Sequence, residues 1–243
     1  MAAFSSFQDT LPDPNNSIGD AGQETGSAGP GYASVELTSE NKNIRSRTNS
    51  GRLISRSIAY HAWNVKIAYN PMTRADFENI YNFLIHRRGS MTPFFVSLPQ
   101  YRLAQNASFV VHQGTGATPL IAAGNIAAGA TSALIGRSGY NSATNGTPEP
   151  GDLFNISGAN SNHKKAYMVT RVETYDDYLT GTQPASAAQI RVHFTPGLAK
   201  SIAASDAFVF YNPKIKVIAN DIQSYSLGSN GLYQFGLQLE EVQ

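Results

Sequence analysis

The sequence predicts a mainly β protein: a β domain flanked by one α-helix, a second small β barrel or sandwich inserted into it, and an extended N-terminal arm. Three observations predict this. Strict alternation of apolar and polar residues around Trp63 is matched in style and length by an alternating run near the C-terminus. One strong amphipathic helix pattern lies between them, at 74–88. A middle stretch, 104–212, consists of short β runs separated by turn chemistry.

Taken in order, residues 1–31 are dominated by Gly, Pro, Ser, Asn and Asp, and Phe4, Phe7, Leu11 and Ile18 follow no period. Such a segment buries too little surface to offset its own ordering entropy. It reads as an arm, with Phe4, Phe7 and Leu11 as anchors on a neighbouring subunit; a solvated tail is the plain alternative. On the arm reading, deleting 1–31 leaves a folded monomer that assembles poorly. Tyr32–Leu37 is a short strand. Residues 41–56 are polar and basic, with Lys42, Arg45, Arg47, Arg52 and Arg56 and a break at Gly51. Arg45, Arg47 and Arg52 are the expected inter-subunit contacts, against a solvated loop or a set of phosphate contacts.

Trp63, Val65, Ile67 and Tyr69 then alternate with polar or small residues as in a half-buried strand, while Ile58 and Tyr60 sit on the other parity, which predicts a bulge near His61 or Ala62. Thr73 with Asp76 three residues on approximates a capping box. Phe77, Ile80, Tyr81 and Leu84 form one helical stripe, and Arg87, Arg88 and Gly89 suit a helix end. Residues 92–98 form a buried strand ended by Pro99. In the middle stretch the expected strands are 108–112, 130–135, 152–157, 166–173, 190–195 and 208–211. After Ile215, Val217 and Ala219, the turn Ser229-Asn230-Gly231 leads to the alternation of Tyr233, Phe235, Leu237 and Leu239. The domains are thus 1–31 (arm), 32–103 with 213–243, and 104–212.

Composition narrows the function. Of 243 residues only 14% are charged, the formal net charge is +1, and there is no Cys. Soluble domains carry roughly a quarter charged residues, so a surface this neutral suggests coverage by neighbouring subunits. The charge balance supplies no global field for nucleic acid or an anionic membrane. No disulfide frame or thiolate chemistry is open to the chain. No apolar run approaches the ~20 residues of a membrane helix, and no secretory signal is expected. The five His are scattered without metal-ligand spacing, GxSxG and GxxxxGK[ST] are absent, and the adjacent carboxylates Asp176-Asp177 and Glu240-Glu241 point to opposite strand faces. No catalytic, cofactor or metal residue is expected, and the chain reads as a non-enzyme.

The stretch from Val35 to Tyr101, with MTRADFENIYNFLIHRRGSMTPFFVSLPQY, resembles the N-terminal domain of bacteriophage distal tail proteins, including those of gene transfer agents. Thr73, Asp76, Phe77, Ile80, Phe83, Arg88, Gly89, Phe94 and Phe95 occupy the matching places, and the terminal LYQFGLQLEEV resembles the closing strand of tail proteins. The middle segment, with GDLFNI, KKAYMVT and VHFTPGL, resembles the accessory β domain of many such proteins. The resemblance implies a tail-tube-like β-sandwich with a flanking helix. It implies a structural virion protein, assembled in the host cytoplasm into a ring, commonly a hexamer, between the tail tube and the baseplate hub or tail tip around the DNA channel. A tube initiator, terminator or other adaptor is the neighbouring reading. A host-surface glycan-binding module carried by 104–212 is the reading from another class. Neither sequence-specific nucleic acid nor a membrane is an expected partner. The bore should be lined by polar or weakly charged groups, because tight phosphate binding would impede passage.

Overall fold

The computed structural model describes residues 9–14, 17–18, 27–114, 116–158, 163–179, 183–220 and 224–242. The first elements are β1 (Ser17–Ile18), β2 (Ser27–Ala28), β3 (Tyr32–Arg47), β4 (Leu53–Tyr69), α1 (Arg74–His86) and β5 (Phe94–Ser97). A 3-10 turn at Pro99–Tyr101 precedes α2 (Ala107–Gln113), β6 (Leu120–Ala122), β7 (Ser132–Gly136), α3 (Ser142–Asn145), β8 (Leu153–Ser157) and β9 (Ala166–Glu173). Then come β10 (Gln189–Thr195), β11 (Ala207–Val209), β12 (Lys214–Ala219), β13 (Ser226–Leu227), β14 (Tyr233–Gln234) and β15 (Gly236–Glu241). The fold is mainly β. It divides into two compact units, residues 1–96 with 216–243, and residues 97–215. The sequence places these edges at 103/104 and 212/213. Residues 97–103 fall with the barrel unit, where Arg102 accepts from the Asn212 backbone N–H (2.7 Å).

In the first unit, five strands form a sheet in the order β3-β4-β15-β12-β5. The chain leaves it at β5 and returns at β12, which are neighbours in that sheet. Trp63, Val65, Ile67, Tyr69, Val217, Leu237 and Leu239 are all buried, as their alternation demands. Pairing jumps from Asn41↔His61 to Asn43↔Ser57, so β4 carries surplus residues just before His61, where the parity changes. α1 packs Phe77, Ile80, Phe83 and Leu84 into the core, with Tyr81 half-buried and stacked on Phe77 at 5.1 Å. Phe83 meets Phe94 of β5 edge-on at 5.4 Å.

The helix ends are not those the spacing predicts. The Thr73 hydroxyl donates to Asp76 Oδ2 (2.8 Å), and no side chain caps the backbone. The helix stops at His86 instead of residue 88, because Arg88 (φ 53°) and Gly89 (φ 63°) both turn left-handed. The Thr92 N–H then bonds the Arg87 carbonyl (3.1 Å).

Leu11 also departs from expectation. Thr10 bridges Phe95 in parallel, the Phe95 N–H bonds the Asp9 carbonyl (2.6 Å), and the Leu11 N–H bonds the Phe95 carbonyl (2.7 Å). This short segment extends the sheet beyond β5 and leaves Leu11 with 0% exposure. Asp9 accepts from Arg87 (2.8 Å), whose guanidinium lies over Phe83 at 5.0 Å. Leu11 is therefore an anchor within its own chain. Gly29 fits beside this segment because a Cβ there would lie 2.6 Å from the Pro12 backbone. Phe4 and Phe7 lie outside the described residues.

The second unit is a closed six-stranded barrel in the order β10-β7-β6-β11-β8-β9, with every pairing antiparallel. Its interior is filled by Leu120, Ile135, Phe154, Ile156, Tyr167, Val169, Ile190, Val192, Phe194 and Phe208. Residues 108–112, expected as a strand, belong instead to α2, whose start is capped by Asn106 Oδ1 accepting from the Phe109 N–H (3.2 Å). A short apolar run does not distinguish strand from helix, and here the flanking Asn106 and Gly114 decide. The turn at 229–231 also does a different job. It closes the small β13–β14 ribbon, through Gly228 N–H to the Leu232 carbonyl (2.9 Å), while β15 pairs with β12 across a longer connection.

Candidate functional site

β15 pairs with β4 only from Asn64 to Ala68, so the β3–β4 ribbon beyond has no third strand among the described residues. At ~3.3 Å per residue, β4 from Leu53 to Trp63 extends by roughly 30 Å. The ribbon turns at Thr48–Arg52, where the Thr48 N–H bonds the Arg52 carbonyl (2.9 Å) and Gly51 adopts φ 82°. Between 41 and 57 it holds five cations and no carboxylate. Directly opposed residues share a face. The pairs Ile44↔Arg56 and Ser46↔Ile54 therefore lie on one side, and Arg45↔Ser55 and Arg47↔Leu53 on the other. Ile44, Leu53 and Ile54 are 57%, 58% and 52% exposed. A two-stranded ribbon with no face to bury is marginal alone. Ile44 and Ile54 thus lie with Arg56 on one face and Leu53 with Arg45 and Arg47 on the other, so each face exposes an aliphatic side chain beside a cation. β3 is also the edge of the sheet, with its outer backbone groups unpaired by any strand among the described residues.

At the root of the ribbon, carboxylates gather on the outward face of the sheet at its β3 and β15 strands. Register brings Glu36, Lys66 and Gln238 into one row and Thr38, Asn64 and Glu240 into the next, with Glu40 beyond. These residues line a shallow depression in which Lys66 is the one cation; Lys214 and Lys216 lie on the same face, towards β12's start. Asn64 Nδ2 donates to Glu40 (2.9 Å), and the Tyr60 hydroxyl donates to Glu240 (3.2 Å). The Tyr60 phenol has its pKa raised, by desolvation first, then by the Glu240 hydrogen bond and the charges of Glu240, Glu40 and Glu241. Lys42 Nζ stands 4.4 Å from the centre of that ring.

On the barrel, the fully buried Glu173 side chain meets Arg171 (3.5 Å) and His193 (3.2 Å). The following loop exposes Tyr175, Tyr178 and Leu179. His163 Nε2 lies 2.7 Å from the Tyr167 hydroxyl, which accepts from the Ala199 N–H (3.0 Å). Burial, with Lys200 next, lowers the His163 pKa against the opposing pull of Asp206. The unfolded chain therefore binds the extra proton first, and stability falls as pH drops through and below the ordinary value of 6.5. Urea unfolding of the barrel at pH 5 and pH 7.5 should show this loss, and His163→Gln should reduce it. An equal loss in the variant would remove His163 as its source.

The expected residues thus separate. Arg45 and Arg47 stand exposed on the ribbon strands and Arg52 at its turn, while Phe77, Ile80 and Leu84 are buried helix core and Tyr81 borders it. Sequence reading missed Glu36, Glu40 and Glu240, whose alternation marks a strand face but whose meeting depends on register. It also missed the exposed Ile44, Leu53 and Ile54, which the basic character of the stretch obscured. Among the described residues no group of three or more His, Asp or Glu side chains is placed to hold a metal ion. Nor is any described helix long and apolar enough to cross a membrane. No protein-family model matches the chain, and no curated protein matches it.

Proposed function

We propose that this chain is a structural subunit of a bacteriophage tail, a ring protein of the distal-tail kind that joins the tail tube to the baseplate or tail tip around the DNA channel. The observation that carries the reading is the β3–β4 ribbon, with exposed aliphatic and arginine side chains and little core of its own. It has the form of an element stabilised by a neighbouring subunit. A sheet with one flanking helix and an inserted barrel, joined at neighbouring strands, suits a ring wall bearing an accessory domain. A heterologous contact closes into a ring when its rotation divides the circle, and six copies is the common number in the family the sequence resembles. A tube initiator, terminator or adaptor would use the same surfaces at another level of the tail.

The test is native mass and negative-stain imaging of the full-length protein, alone and with purified tube or hub protein. Closed rings are the expected result. A monomer under both conditions overturns the reading.

The exposed Tyr175 and Tyr178 favour a second reading, in which the barrel recognises a host-surface glycan by ring stacking. Glycan-array binding of the full chain that disappears in Tyr175→Ala/Tyr178→Ala would support it. No binding at millimolar sugar removes it.

A further inference from the structure

Resting on the ring reading, we infer that the basic ribbon of one copy docks on the carboxylate-lined depression of the next copy's sheet. The chain carries groups of opposite sign along the β3–β4 ribbon and at its root, where β15 adds Glu240. Residues 41–57 hold Lys42, Arg45, Arg47, Arg52 and Arg56 with no carboxylate. The sheet face at the ribbon's root offers Glu36, Glu40 and Glu240 around Lys66. Lys42 stands at the junction, over the Tyr60 ring whose hydroxyl donates to Glu240, whereas Arg45, Arg47 and Arg52 lie farther out along the extended ribbon, away from that face. A second copy supplies each patch with the missing partner, and the arrangement is head-to-tail, as a closing ring requires.

The apolar content favours a protein partner over nucleic acid. Ile44, Leu53 and Ile54 give a phosphate backbone nothing to recognise. The receiving face has the half-buried Ile218 directly beside Glu240. Charge complementarity through Arg45 and Arg47 then sets register and on-rate, while Leu53, on the same ribbon face, excludes water against the receiving surface.

The experiment uses the full chain under the conditions in which the wild type forms rings. One variant reverses the ribbon, Arg45→Glu/Arg47→Glu; the other reverses the receiving face, Glu36→Lys/Glu40→Lys. Each alone should raise the concentration for half-assembly by about tenfold or more. An equimolar mixture of the two should restore rings, because each variant's ribbon again meets a face of opposite sign. A misfolded variant cannot give that rescue. Rings of the wild type should also weaken between 0.1 and 1 M salt, where the screening length falls from about 10 to about 3 Å.

Wild-type rings with both variants also forming rings would overturn the inference and leave the ring reading standing. Failure of the mixture to rescue would overturn it as well. Intact rings with loss of duplex-DNA binding in Arg45→Glu/Arg47→Glu would overturn it in favour of a nucleic-acid contact. Absence of wild-type rings alone and with partner would overturn both readings together.

Discussion

Replacing Phe154 by alanine should destabilise the barrel by about 3–5 kcal/mol, the range for emptying a large aromatic site in a packed interior. Phe154 has 0% exposure, and its ring centre lies 5.6 Å from Tyr167, 5.5 Å from Phe194, 5.2 Å from Phe208 and 5.1 Å from Phe210. Its contacts therefore reach β9, β10 and β11 from β8, and one truncation loosens several strands together. A closed barrel leaves little freedom to collapse around the hole, because every strand is held on both sides. Hydrogen exchange at the amides of β8, β9 and β11 should accelerate in proportion. Phe154→Leu, which retains most of the volume, should cost less. Val111→Ala, at a site 82% exposed, should change stability by no more than ~0.5 kcal/mol. Equal effects at Phe154 and Val111 would contradict the packing described.

The strands with one buried face were legible because alternation encodes burial directly. Ile190, Val192 and Phe194 sit inside the barrel, and Trp63, Val65 and Ile67 on the buried side of the sheet, as their period requires. What alternation cannot encode is the partner across the ladder. β3 runs to Arg47, ten residues beyond the Tyr32–Leu37 strand read from sequence, because β4 supplies its hydrogen bonds out to Leu53. No burial pattern marks that extension, since both faces of the ribbon are exposed. The 41–56 stretch therefore reads in sequence as a basic loop. α2 is hidden for the opposite reason: its apolar run is visible, but it is too short to show a period without weight on Asn106 and Gly114.

The candidate surfaces show the same division. The cations of the ribbon were visible as a cluster in sequence, whereas the acidic face gathers Glu36, Glu40 and Glu240 from strands more than 200 positions apart at the extremes. Only the antiparallel register, fixed by burying Val65, Ile67, Leu237 and Leu239, turns those carboxylates to one side. Core packing thus places the charges, and an error of one residue in register would send them inward.

Leu11→Ala should destabilise the first unit by about 2–4 kcal/mol, a cost within the range for truncating a fully buried leucine. The side chain is wholly enclosed, and the segment holding it contributes backbone bonds to Phe95 and a carboxylate to Arg87. Deleting 1–31 should cost more, because it also uncovers the outer side of β5 and removes Asp9. The truncated chain is then a weakened monomer, and poor assembly would follow from instability as well as from any lost contact. Trp63 makes the two effects separable. It is the only tryptophan, it belongs to the first unit, and it is buried, so its fluorescence follows that unit during urea unfolding. A shifted transition in Leu11→Ala with rings still forming at high protein concentration is the expected outcome. A wild-type transition combined with failed ring formation would return Leu11 to a role between subunits, because a residue seated in its own core cannot be truncated without weakening that core.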